Sequence, residues 1–214
     1  MVRKNSMCGK CAYTRIISKL FPANSLNMFL GTAVCIVLLS CSSGIRPPEI
    51  YSSYGKRNYI FWSETRILKW ADFQGSTPYL LNNEINVIRY AEINRLNLFG
   101  PTGFTAATIF DKTKSFVKEE AQTDTRLLYY QIIFNIHELY TRKFRRHYES
   151  VDFGLFNLKS DFNKTKINYD KESYERTEQL KKESNDGENK KVISEWNVKI
   201  KSELDQLIHY IVLF

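Results

Sequence analysis

The segment Leu127–Arg146, LLYYQIIFNIHELYTRKFRR, narrows the folds open to this chain more than any other stretch. Positions 127, 128, 132, 136, 139 and 143 form one stripe at helical spacing, broken only by Lys143. Tyr129, Tyr130, Ile133, Phe134, Tyr140 and Phe144 add bulk on the other faces. A helix apolar on most sides must be covered on most sides, so the pattern predicts a central helix. Asp124 is the expected N-cap, with an end near His147. Arg142, Lys143, Arg145 and Arg146 are expected to complement the negative end of the helix dipole.

Something has to cover that helix, and the flanking sequence supplies strands before it and helices after it. YIFWSETRILKWADFQG, residues 59–75, is dense enough in aromatic and aliphatic groups to be core, with Gly75 closing it. Residues 84–98 alternate imperfectly, and 104–117 alternate better through Phe104, Ala106, Thr108 and Phe110. FGPTG between them is a turn signal, so a β-hairpin is expected, although the first arm also reads as a helix. Residues 150–168 read as a connector and 169–186 as a charged helix stopped at Asp186-Gly187. A last helix over about 189–209 carries Val192, Trp196, Ile200, Leu204 and Leu207 on one face. The fold class is α+β: N-terminal strands or a hairpin packed against a long central helix and C-terminal helices.

Composition bears on partners and address. With 214 residues, 43% hydrophobic and 25% charged, the chain has the makings of one substantial core, which excludes global disorder. Five charges of the net +8 lie in residues 1–40, which hold Arg3, Lys4, Lys10, Arg15 and Lys19 and no acid, leaving +3 for the rest. No basic stripe with interleaved aromatics occurs, so no nucleic-acid partner is expected. All four cysteines, Cys8, Cys11, Cys35 and Cys41, lie at or before position 41, and Cys8-Gly-Lys-Cys11 lacks the second half of a zinc site.

MFLGTAVCIVLLSC, residues 28–41, is short for a membrane-spanning helix and fits the apolar region of a signal peptide. Leu38-Leu39-Ser40-Cys41 resembles the bacterial lipobox, although Leu39 is a less favoured residue there and Lys19 is a distant nearest positive charge. The alternative is a short buried segment with a chance cysteine. The expected organisation is a lipoprotein-type signal peptide over 1–40, lipid attachment at Cys41, a polar tether over 41–58 and one α+β domain over 59–214. A lipid at Cys41 implies a membrane partner and a bacterial cell-envelope address. Ser42, in place of an inner-membrane-retaining Asp, favours the periplasmic face of the outer membrane.

Four landmarks fall in order: FWSETRILKWADFQG, FDKTKSFVK, the Leu127–Arg146 helix and ESNDGENKKVISEWNVKI. Together they resemble a family of uncharacterised secreted bacterial proteins predicted to be zinc-dependent proteases (domain of unknown function nine-twenty-two), over roughly residues 60–205. The family's helix resembles L-L-x-H-E-Q-x-H-F-D-I-x-E-x-Y-A-R-K-L-R. Here Leu127, Gln131, Phe134, Ile136, Glu138, Tyr140, Arg142-Lys143 and Arg145 match, with Asn135 in place of the Asp. The first His falls on Tyr129, the catalytic Glu on Tyr130 and the second His on Ile133. A later E-T-x-H-G segment falls on Glu183–Gly187 and puts Asp186 where a further metal-binding His would sit.

Those departures remove the chemistry. Histidines four apart share one zinc ion, and the Glu takes a proton from its bound water. Ile133 has no lone pair to give, and Tyr130 is a poor base at neutral pH. The resemblance therefore implies a degenerate zincin-like scaffold with no catalytic residue, no metal and no cofactor, and a binding or structural role toward an unknown envelope protein or peptide. His137 and Glu138 remain as residual polar candidates: the His as a solvated or hydrogen-bonded side chain, the Glu as an i, i+4 partner of Arg142. His209 is read like His137. Trp62, Trp70, Asp72, Phe73 and Trp196 are read as framework, with Asp72 capping or pairing. Two alternatives stay open. One is an active metallohydrolase with zinc held by a set drawn from His137, Glu138, His147 and Asp186; the other is an unrelated envelope-binding module.

Overall fold

The computed structural model describes residues 58–76, 83–95, 103–150 and 158–212. The signal segment, Cys41 and all of the tether except Asn58 lie outside these described residues. Strands β1 (Tyr59–Phe61), β2 (Val87–Arg95) and β3 (Gly103–Asp111) form an antiparallel sheet in the order β1-β3-β2. Helices α1 (Asp124–Ser150), α2 (Leu158–Glu183) and α3 (Lys190–Asp205) follow. The fold is α+β, with the strands preceding the helices as expected.

The hairpin is present: β2 pairs with β3 from Val87↔Phe110 to Arg95↔Gly103, with a bulge between Ile93 and Arg95. Its first arm is thus a strand. Residues 99–102 of the turn signal lie outside the described residues. β3 stops at Asp111, short of the expected Val117, because the Asp111 side chain turns the chain. Its Oδ1 accepts from the backbone N–H of Thr113 and Lys114 at 3.0 and 3.2 Å, and the Ser115 hydroxyl donates to its carbonyl at 2.7 Å. The alternating set of β3 faces α1: Phe110 lies 6.0 Å from Phe134, Phe104 lies 6.1 Å from Phe144, and the hydroxyls of Thr108 and Thr141 are 2.8 Å apart.

Helix α1 is the central element. Ile132, Phe134 and Ile136 are fully buried, and Ile133 and Leu139 nearly so; burial of each such side chain contributes about 1.5–3 kcal/mol. The cap is Thr123, one residue before the expected Asp124. The Arg126 N–H donates to the Thr123 hydroxyl at 3.2 Å, and Asp124 opens the helix, where its charge suits the positive end of the dipole.

The later helices correct the sequence reading at two boundaries. α2 begins at Leu158, eleven residues before the expected charged helix, because Leu158 and Phe162, one turn apart, are buried. Phe162 sits 5.3 Å from Phe144 and 5.0 Å from Tyr148 in a satellite aromatic cluster. The polar residues around those two anchors hide the helix from a periodicity search. α3 ends at Asp205 and passes into a 3-10 turn over Ile208–Tyr210, with Leu207 still buried. No helix among the described residues is long and apolar enough to cross a membrane.

Candidate functional site

The positions that the resemblance assigns to metal and general base lie where α1 passes the α2–α3 turn. That turn runs through three consecutive residues of positive φ, Asn185 (50°), Asp186 (53°) and Gly187 (86°), residue types that tolerate the left-handed region. The conformation brings the Asp186 carboxylate to the Tyr129 hydroxyl, which donates to Oδ1 at 3.5 Å, a weak bond. Gly187 packs on the same ring, and a Cβ there would stand 3.0 Å from its atoms. Tyr130 joins an aromatic group with ring centroids 5.3 Å from Tyr129, 5.4 Å from Phe73 and 6.4 Å from Trp70. Ile133 is buried in the same core cluster.

Burial decides the electrostatics. Desolvation pushes the Tyr129 phenol up, and the nearby Asp186 charge adds to the shift. Tyr130 is also raised by burial, against the opposing pull of Arg126. Both rings are therefore neutral phenols at neutral pH. One neutral phenol, one aliphatic side chain and one carboxylate do not fit a zinc ion, and Tyr130 is no base there. Among the described residues, no group of three or more His, Cys, Asp and Glu side chains is placed to hold a metal ion.

The rearranged set fares no better. Asp186 sits at Tyr129, whereas His137 and His147 are eight and eighteen residues further along α1, roughly 12 and 27 Å along the axis. Glu138 is consumed elsewhere: 2% exposed, its Oε1 accepts from Arg142 Nε at 3.2 Å and from Arg145 Nη1 at 2.9 Å. The two guanidinium groups reach beyond the helix. Arg142 donates to the carbonyl of Leu204 at 2.8 Å and lies 4.7 Å from the Trp62 ring. Arg145 donates to the carbonyls of Ala106 and Tyr210, each at 2.8 Å. These bonds go beyond the complement to the helix dipole expected of the basic residues. Arg142 and Arg145 are buried cross-links between elements, and only Arg146 of the four basic residues is exposed.

His137 also departs from expectation. Its Nδ1 is buried without a hydrogen-bond partner. Desolvation, followed by the charge of Arg89 on β2, drives its pKa down to about 3. It is a neutral, half-buried imidazole whose Nδ1 has no hydrogen-bond partner among the described residues. His209 in the 3-10 turn is exposed, as expected.

The framework residues behave as read. Asp72 caps its own 3-10 turn by accepting the Lys69 N–H at 2.8 Å, and it pairs with Arg66 at 2.6 Å. Trp196 donates to Glu183 at 2.7 Å and packs under Arg176. Trp62 donates its indole N–H to Asn135 at 2.8 Å, Gln131 donates to the same oxygen at 3.0 Å, and the Leu68 N–H donates to Gln131 at 2.9 Å. This polar line borders an open cavity of about 320 Å³ between the segment after β1, α1 and α3. Sequence reasoning missed it, although two amides four apart on an otherwise apolar helix were a signal for it.

No protein-family model, no curated protein and no solved structure matches this chain.

Proposed function

We propose that this chain is a lipid-anchored envelope protein built on a degenerate zincin-like scaffold, with a binding role in place of catalysis. The observation that carries the reading is the meeting of Tyr129 and Asp186. They are 57 positions apart, fall on two positions to which the resemblance assigns metal ligands, and pack with Gly187 where a metal would sit. The neutral phenols and the aliphatic Ile133 support loss of hydrolysis, and the capture of Glu138 by two arginines supports a structural use for the remaining acid. The anchor reading rests on the order of apolar run, Ser40 and Cys41 in the sequence. It puts the protein on the periplasmic face of the outer membrane, with an envelope protein or peptide as partner.

The test is metal content and zinc affinity of the purified protein beside two variants. Asp186→Ala is expected to behave as wild type, with no stoichiometric zinc and no effect of a chelator on unfolding. A variant carrying Tyr129→His, Tyr130→Glu, Ile133→His and Asp186→His is expected to acquire a zinc site. Stoichiometric zinc in the wild type, lost in Asp186→Ala, would overturn the inactive reading.

A further inference from the structure

The cavity beside α1 has a floor whose hydrogen bonding is incomplete. Asn135 is 6% exposed and lines the cavity. Both of its hydrogen bonds, from Trp62 and Gln131, go to Oδ1, which fixes the orientation of the carboxamide. Its amide nitrogen therefore faces outward from that pair with two hydrogens and no acceptor among the described residues. Across the cavity, Asn197 on α3 carries a carboxamide oxygen with no partner. Among the described residues no hydrogen bond holds its side chain, so a rotation can turn either polar atom toward an occupant. The buried, unpaired oxygen of Asn197 costs free energy that a ligand donor recovers, and the Asn135 NH₂ offers an occupant two further hydrogens.

The lining combines an aliphatic wall with the polar and charged side chains of Ser63, Glu64 and Arg66. Ile67 is 63% exposed at the rim, and Leu128 and Leu204 line the interior. Lys201 and Asp205 are exposed one helical turn apart on α3 and put both signs of charge at the mouth. The volume of about 320 Å³ falls within the range of roughly 300–1,000 Å³ typical of ligand clefts.

We infer that this cleft binds a peptide segment in extended form, with Asn135 donating to a backbone carbonyl and Asn197 accepting from a backbone N–H. A secondary amide is the group that presents an acceptor and a donor together, and the aliphatic wall suits an apolar side chain beside it. An N-acetylated sugar carries the same amide, but sugars stack on open aromatic faces. Among the described residues that line this cleft the one aromatic ring, Trp62, is 7% exposed and lies against Arg142. The inference names the site of the binding role proposed above and rests on that reading.

An array of acetylated, amidated octapeptides, scanning aliphatic, acidic and basic residues around a central aliphatic position, is probed with the full chain. N,N′-diacetylchitobiose is immobilised on the same surface. The strongest peptide is then titrated into ¹⁵N-labelled protein, with the Trp62 indole N–H and the Asn135 side-chain NH₂ as reporters. Saturable shifts at both are expected, together with affinity about tenfold weaker in Asn197→Ala and severalfold weaker in Ile67→Ser. Asn197 has no partner to lose, so its variant is expected to fold; unchanged Trp70 and Trp196 indole signals check this, and Asn197→Gln stands in if they move. Binding of the disaccharide alone, binding of neither probe, or peptide affinity indifferent to Asn197 and Ile67 each overturns the assignment. Cleavage of a bound peptide would sink the inactive reading and leave the cleft standing, so the two failures are distinguishable.

Discussion

Around Tyr129–Ile133, α1 meets its surroundings with two phenol rings and a branched aliphatic chain; around Glu138–Arg145 it meets them with one carboxylate and two guanidinium groups. Both stretches are buried in the same helix. The supply of partners separates them. Three backbone carbonyls, those of Leu204, Ala106 and Tyr210, converge on the second stretch from β3, α3 and the 3-10 turn. The first is offered the Asp186 carboxylate, at 3.5 Å from Tyr129, and the Arg126 guanidinium beside Tyr130. Buried charge persists where it is paired and hydrogen-bonded, and elsewhere apolar packing takes its place.

The comparison is broken most severely by Glu138→Ala, which leaves two guanidinium groups buried without their carboxylate. A loss of about 3–5 kcal/mol is expected in urea denaturation. A loss below about 1 kcal/mol would mean that the carbonyls alone satisfy Arg142 and Arg145.

Acid probes the boundary between the stretches, at His137. Its imidazole is neutral in the fold, with a pKa near 3, and titrates near 6.5 when unfolded. The unfolded chain therefore takes up a proton that the folded chain refuses as pH falls from 6.5 to about 3. Stability present above that window is lost through it, at a slope approaching about 1.4 kcal/mol per pH unit. His137→Phe is expected to flatten this component, and urea midpoints near pH 4 and pH 7 for both proteins measure it. Equal slopes would place the imidazole in water.

Smaller effects sharpen the Tyr129 side. Gly187→Ala puts a Cβ at positive φ and against the Tyr129 ring, so a loss of about 1–2 kcal/mol or more in thermal unfolding is expected. Tyr129→Phe removes only a long hydrogen bond and should cost less than about 1 kcal/mol. A larger loss would show that the Asp186 contact holds the turn.

The α1 pattern in the sequence, the β3 alternation and the glycine stop at 187 were enough to place the central helix, its facing strand and the turn that follows α2. Each is a local signal: a period or a residue that tolerates positive φ. The start of α2 was hidden because only Leu158 and Phe162 of its first eleven residues are buried hydrophobics, Ile167 being exposed, and two such positions give no period. The fate of Arg142 and Arg145 was hidden for another reason. Their partners are backbone carbonyls 39 to 65 positions away in sequence, and a carbonyl carries no residue-specific mark. One trace was legible: Glu138, Arg142 and Arg145 sit at spacings of four and seven, which puts all three on one face of an apolar helix. The cleft was invisible as a volume, since it arises from where α3 and the segment after β1 leave space beside Gln131 and Asn135.

The hydrogen bonds from Arg142 to Leu204 and from Arg145 to Tyr210 also set a timetable. α1 leaves the ribosome some sixty residues before the carbonyls that complete its cross-links. Until Tyr210 has emerged, Arg142 has Glu138 but no carbonyl, and Arg145 has Glu138 and Ala106 but not its last partner, so the hairpin and α1 close over an incomplete set of bonds. Final packing of α1 therefore waits on the segment that carries Leu204 and Tyr210.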